Sequence, residues 1–166
     1  LKKFFLSHRQ AHLTAFVAAY FLVALAVFIQ KKFNLEPCPL CVTQRIIFMV
    51  LGLLFLINAF IKPTYLIKKL SLVVLSITSI TGMVFSFKHI LIQSKAIQVP
   101  NECGVDLNYM FENFPFSKAL NLLFKGTGDC SHIDWTLLSL TLPELALIGF
   151  VSFFIYTVFL FRMNLK

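Results

Sequence analysis

Charged residues divide this chain into long apolar runs. Four stretches contain no Asp, Glu, Lys or Arg: Leu13 to Gln30, Ile46 to Ile61, Leu70 to Phe87 and Leu145 to Phe161. Each holds 16 to 18 residues, and a helix that crosses a bilayer needs roughly 17 to 25. The cores therefore borrow from their flanks, the second reaching back towards Cys41 and the third forward to about Leu91. The pattern predicts an all-α membrane protein, a single domain over 1–166 with four transmembrane helices near 11–30, 42–61, 70–91 and 144–161. The connectors are then a loop at 31–41, a turn at 62–69 that contains Pro63, and a long segment at 92–143. Within the long segment, Phe114 to Phe124 is apolar but too short to span. It is expected to form a short interfacial helix with Lys118 and Lys125 directed at lipid headgroups, the alternative being a loop helix packed on the bundle.

Composition strengthens this reading. Hydrophobic residues make up 58% of the chain and charged residues 13%, with 20 Phe. That leaves too little polar material to coat a soluble core. The net charge of +8 raises nucleic acid as a partner, but the basic residues sit at the ends of apolar runs, with no basic surface interleaved with stacking aromatics. No nucleic-acid partner is expected. The charges instead set orientation. With both termini inside, the inner side carries Lys2, Lys3, Arg9, Lys62, Lys68, Lys69, Arg162 and Lys166 and no acid. All seven acids, from Glu36 to Glu144, then fall outside, which is the bias that topology follows. The first run is longer than a signal-peptide core and no small-residue cleavage site precedes Glu36-Pro37, so it reads as a retained span.

On this topology Cys38, Cys41, Cys103 and Cys130, the chain's four cysteines, all lie on the outer side, where an even number of thiols points to disulfides. Cys38-Pro39-Leu40-Cys41 is a CxxC at the mouth of the second helix. A disulfide across it closes so small a ring that it removes little chain entropy, which makes it a weak staple and a natural redox switch. Cys41 is near a helix N-terminus, where the dipole favours an anion, and Arg45 follows one turn later on the same face. Both features stabilise a thiolate. An arginine at this depth is costly unless partnered; a snorkelling anchor is the plainer use of it. The CxxC also serves zinc sites, but Cys103 and Cys130 are separated by 26 residues, not by a short knuckle interval. No metal is expected. Two inert structural disulfides remain an alternative at this point.

The four helices, Cys38-Pro39-Leu40-Cys41 with Arg45, and Cys103 followed by Gly128-Asp129-Cys130 resemble the disulfide bond formation protein B (DsbB) family. Lys88-His89 with Gln93, and Trp135 with Leu142-Pro143, extend the likeness over about residues 10 to 161. The resemblance implies a thiol:quinone oxidoreductase of the bacterial inner membrane, with cytoplasmic termini and periplasmic cysteines. It further implies two redox disulfides, Cys38–Cys41 and Cys103–Cys130, and a quinone (ubiquinone or menaquinone) as cofactor. A DsbA-like thioredoxin-fold partner would attack Cys103. Cys130 would then attack Cys38, and Cys41 would leave beside the quinone, in keeping with the relay that keeps the periplasm oxidising. Arg45 and His89 are the expected donors to quinone oxygens, His89 having the alternative of an interfacial histidine bonded to a loop carbonyl, while Leu142 and Pro143 are read as packing first and as walls of the ring's pocket second. The breakers Pro100, Asn101, Gly104, Gly126 and Gly128 give the Cys103–Cys130 segment the freedom its successive contacts require. Two departures stand out. Gln44 precedes Arg45 where some relatives carry an acid, and the loop between Cys103 and Cys130 matches poorly. A specialised paralogue of the DsbI type shares the same pattern. The reading from another class is a four-helix membrane scaffold, which would show no quinone-dependent loss of thiols.

Overall fold

A computed structural model describes residues 8–35, 38–61, 64–96, 135–137 and 140–164. Among these described residues are four helices, α1 (His8–Lys32), α2 (Pro39–Phe60), α3 (Tyr65–Gln93) and α4 (Leu142–Asn164). Each is long and apolar enough to cross a membrane, and the chain is a multi-pass membrane protein. Cys103, Cys130 and the expected interfacial helix at 114–124 lie outside the described residues.

The helices overrun most of their expected ends, for local reasons. α2 begins at Pro39, three residues before the expected start, because a ring-fixed φ and a missing N–H suit the first helical position. α3 begins at Tyr65, so part of the expected turn at 62–69 is helix. Its N-cap is Thr64, whose hydroxyl accepts from the Ile67 N–H. Lys68 and Lys69 continue it, since long basic side chains can reach the interface from inside a helix. α4 opens on the acidic half of a capping box: the Glu144 carboxylate accepts from the Thr141 N–H at 2.6 Å and from its hydroxyl at 3.0 Å. α1 and α3 close in the same way. Asn34 (φ 50°) and Lys95 (φ 58°) turn left-handed, and the N–H groups of Leu35 and Ala96 reach back to the Gln30 and Leu91 carbonyls.

A short ladder lies within the expected loop 92–143. Thr136–Leu137 (β1) pairs antiparallel with Leu140–Thr141 (β2), and this ladder leads directly into α4. Beside it the Trp135 ring lies 6.0 Å from that of Phe33.

Short connectors place α1 against α2 and α2 against α3, and α3 packs closely along α4. Small residues let the backbones approach. Ala11, Ala15 and Ala19 form the buried stripe of α1. Gly82 of α3 faces the Phe150 ring so closely that a Cβ there would collide with it. Phe150 in turn stacks on Phe48 with centroids 3.9 Å apart and planes 12° apart, and Phe55 and Phe153 complete this core. The outward faces carry Val17, Phe21, Leu66, Val84 and Ile155, all exposed, as lipid requires. α1 and α4 are joined more loosely. Tyr156 donates to the Ala11 carbonyl at 3.0 Å, while a groove of about 560 Å³ runs between them past Phe21, Ile148 and Ser152.

Candidate redox site

The mouth of α2 is built around Cys38. It is the N-cap, in extended conformation (φ −67°, ψ 155°), and its sulfur accepts from the Cys41 N–H at 3.4 Å. This satisfies one of the amide groups that a helix start leaves open. With Pro39 and Leu40 starting the helix, Cys41 falls in the first turn and its sulfur lies 3.1 Å from that of Cys38, with the Cys38 thiol donating. A disulfide would need a further approach of about 1 Å. The pair is a juxtaposed dithiol that small rotations can close.

On one side of the pair stands α3. His89, 1% exposed, places Nε2 at 3.6 Å from the Cys38 sulfur. Its other ring nitrogen, Nδ1, is 3.4 Å from the Gln44 carboxamide. Leu40 and Ile92 seal this side from solvent, with Phe85 packed against them. On the other side Cys41, Gln44 and Arg45 open onto a cavity of about 230 Å³ whose remaining wall is apolar, including Leu22 and Ala26 of α1 and Leu145 of α4. The Arg45 guanidinium donates to the Gln30 Oε1 at the end of α1 and interacts electrostatically with Cys41 and Cys38. Leu22 and Leu145 also line the groove between α1 and α4, so the cavity and the lipid-facing groove adjoin.

Cys38, Cys41 and Arg45 thus meet at one helix mouth. His89 joins them from the Cys38 side and is not among the residues lining the cavity. Leu142 lines the cavity, whereas Pro143 is fully buried in packing. Two residues that sequence reasoning left without a role emerge as parts of the site: Gln30, which holds Arg45, and Gln44, which holds His89. Their one sequence signal was an amide at the edge of an apolar run, where a side chain with four hydrogen-bonding positions needs partners.

Three ligand atoms, the two sulfurs and a His89 nitrogen, lie within 4.8 Å of one another, close enough to hold a metal ion. The cavity suits an amphiphile with a polar head and an apolar tail. Arginine and cysteine stand at one end, and a path bounded by hydrocarbon leads away from it.

Comparison with known proteins agrees with this arrangement. Residues 8–160 match the family model for disulfide bond formation protein DsbB. Disulfide bond formation protein B of Methylobacillus flagellatus is 48% identical over 152 residues, covering 92% of both chains. The protein of the same name from Hahella chejuensis is 37% identical over 149 residues, 89% of this chain and 90% of the other. Disulfide bond formation protein B 1 of Pseudomonas aeruginosa is 32% identical over 147 residues, with 89% and 90% covered. A match of this extent, with the CxxC dithiol at the mouth of a membrane helix, makes the chain a member of the disulfide bond formation protein DsbB family.

Proposed function

We propose that this protein reoxidises a DsbA-like periplasmic dithiol oxidase and passes the electrons through its two cysteine pairs to a membrane quinone, from a position in the bacterial inner membrane. The observation that carries this reading is the placement of Cys41 and Arg45 on a largely apolar cavity that adjoins the groove between α1 and α4. A thiol with access to the lipid phase can use an oxidant dissolved there. The excess of basic residues on the side opposite the cysteines supports a periplasmic site, and the relatives' names state disulfide bond formation.

In this scheme the partner's thiolate opens the Cys103–Cys130 disulfide at Cys103, and resolution of the mixed disulfide leaves the partner oxidised. The electron pair reaches the CxxC when Cys130 attacks the Cys38–Cys41 disulfide at Cys38, expelling Cys41 as a thiolate, and Cys103 then attacks Cys130, which re-forms the Cys103–Cys130 disulfide and frees Cys38. The structure of α2 supports that polarity. Cys41, in the first turn, has the helix dipole and Arg45 to stabilise the charge, and the better-stabilised thiolate is the better leaving group. A quinone in the cavity would supply the electron acceptor, taking up the two electrons and two protons of a dithiol. Arg45, held by Gln30, would place its positive charge at the head of that cavity, and the apolar wall would exclude water, strengthening the interaction.

The test is to reduce the purified protein, remove the reductant and add a short-tailed quinone anaerobically. Free thiols should disappear in step with quinol formation. An unchanged thiol count would overturn the proposal.

A further inference from the structure

We propose that Gln44 is a positioning residue for Cys38. Its carboxamide anchors His89 through Nδ1, so that Nε2 stays facing the Cys38 sulfur and exchanges a proton with it. The inference rests on the reading of the CxxC as redox-active, and it gives His89 a task at Cys38 distinct from donation to a quinone oxygen.

The geometry is a chain of three side chains from two helices. The Gln44 amide nitrogen lies 3.4 Å from His89 Nδ1, and His89 Nε2 lies 3.6 Å from Cys38 Sγ. Exposure of all three is low: 5% for Gln44, 1% for His89 and 9% for Cys38. In such a setting the imidazole turns by what its neighbours offer, and water competes little. Gln44 also lines the cavity that Cys41 and Arg45 share, so it forms the partition between that cavity and His89. Arg45 acts on both thiols, Cys41 before Cys38, while His89 faces the Cys38 sulfur from the opposite side.

A carboxamide suits this position because it carries a donor and an acceptor on one planar group. With the NH2 towards Nδ1, the ring proton is on Nε2 and donates to a Cys38 thiolate. With Oε1 towards Nδ1–H, the Nε2 lone pair faces Cys38 and can take its thiol proton. The balance is simple: a thiol and a neutral imidazole become a thiolate and an imidazolium, and no electron moves. In the imidazolium both ring nitrogens donate, Nδ1 to Oε1 and Nε2 to the sulfur. Cys38 must lose a proton each time the pair closes, and this contact provides a place for it away from the cavity.

The test uses the full-length protein in the Cys41→Ser background, reduced and free of quinone and partner, with Cys38 alkylation followed by site-resolved mass spectrometry. Gln44→Leu is expected to slow alkylation at neutral pH by about three- to tenfold, the equivalent of one hydrogen bond to a reacting group. Gln44→Glu, which still accepts from Nδ1–H, should retain the rate. Nitrogen-15 spectra of His89 supply a signature that a loss of packing alone would not give: a hydrogen-bonded Nδ1 with Gln44 or Gln44→Glu, and an altered tautomer ratio with Gln44→Leu. The idea is overturned if Gln44→Leu changes the rate by less than about twofold with the ring spectrum unmoved. Should that variant fail to fold, an Nδ1 without a hydrogen bond in the unsubstituted protein overturns it equally. No readout involves quinone, so a protein that shows this pattern but fails to reduce quinone would sink the redox reading and leave the Gln44–His89–Cys38 contact intact.

Discussion

Replacing Arg45 by methionine keeps most of the side chain's length and removes its charge, which isolates the electrostatic part of its role. Cys41 and Arg45 are one turn apart on α2 and both line the same cavity, and side chains so spaced have Cβ atoms roughly 5–6 Å apart. Arg45 is half-buried, so an effective dielectric constant of about 20 is the appropriate choice, and a unit charge at about 6 Å then stabilises a thiolate by about 3 kcal/mol. If the negative charge that develops on the quinone oxygen at the head of the same cavity feels a comparable share, Arg45→Met lowers the rate of quinone-dependent thiol oxidation by about a hundredfold. Loss of a single donor to a developing oxyanion gives a similar figure, about a hundred- to a thousandfold. The assay is stopped-flow mixing of reduced protein in nanodiscs with a water-soluble quinone, following quinone absorbance and quenching samples for thiol counts. Arg45→Lys restores the charge but not the planar fork that meets Gln30, and should recover about a tenth of the rate. A rate for Arg45→Met within about threefold of the unsubstituted protein would refute the reasoning and leave Arg45 as an interfacial anchor.

Other substitutions probe the remaining parts. Cys41→Ser should abolish quinone reduction while leaving a mixed disulfide with a DsbA-like partner able to form at Cys103; full turnover by this variant would contradict the order of the relay. Gly82→Ala drives a methyl group into Phe150, which is fully buried and stacked on Phe48. It should cost about 1–3 kcal/mol in a reversible unfolding assay in mixed micelles, and no change in the midpoint would mean that α3 and α4 are not held this closely. Tyr156→Phe removes the bond to the Ala11 carbonyl across the looser α1–α4 seam, with an expected loss of about 0.5–1.5 kcal/mol by the same assay.

The spans were legible because a charge inside hydrocarbon is costly, so Lys, Arg, Asp and Glu mark where an apolar run stops. Their exact ends were less so, for the same reason in reverse. Lys68 and Lys69 read as loop, yet a long side chain can leave the membrane while its backbone stays helical. Thr141 and Glu144 carried a capping signal at α4 that charge counting passes over. At the site, Cys38, Cys41 and Arg45 are neighbours along one helix, so their spacing alone brings them together. His89 was legible as a residue of interest but not as a neighbour of Cys38. That contact depends on which face α3 turns to α2, a choice made by the buried stripe Ser79, Gly82, Ser86 and His89 and by the Phe150 ring that receives Gly82. Gln30 and Gln44 needed the same tertiary information, because an amide gives no hint of its partner until the facing helix is in place.

The Cys38 cap has one further consequence. Its sulfur is at once the acceptor for the Cys41 amide and, in the proposed relay, the atom that changes bonding partner at every turnover. Each exchange must therefore disturb the hydrogen bond that closes the first turn of α2. The Cys41 backbone amide becomes a natural spectator of the chemistry, and its proton shift and its exchange with deuterium should follow whichever sulfur holds Cys38. The start of a membrane helix, ordinarily a fixed point of the architecture, would then fray and re-form in rhythm with electron flow.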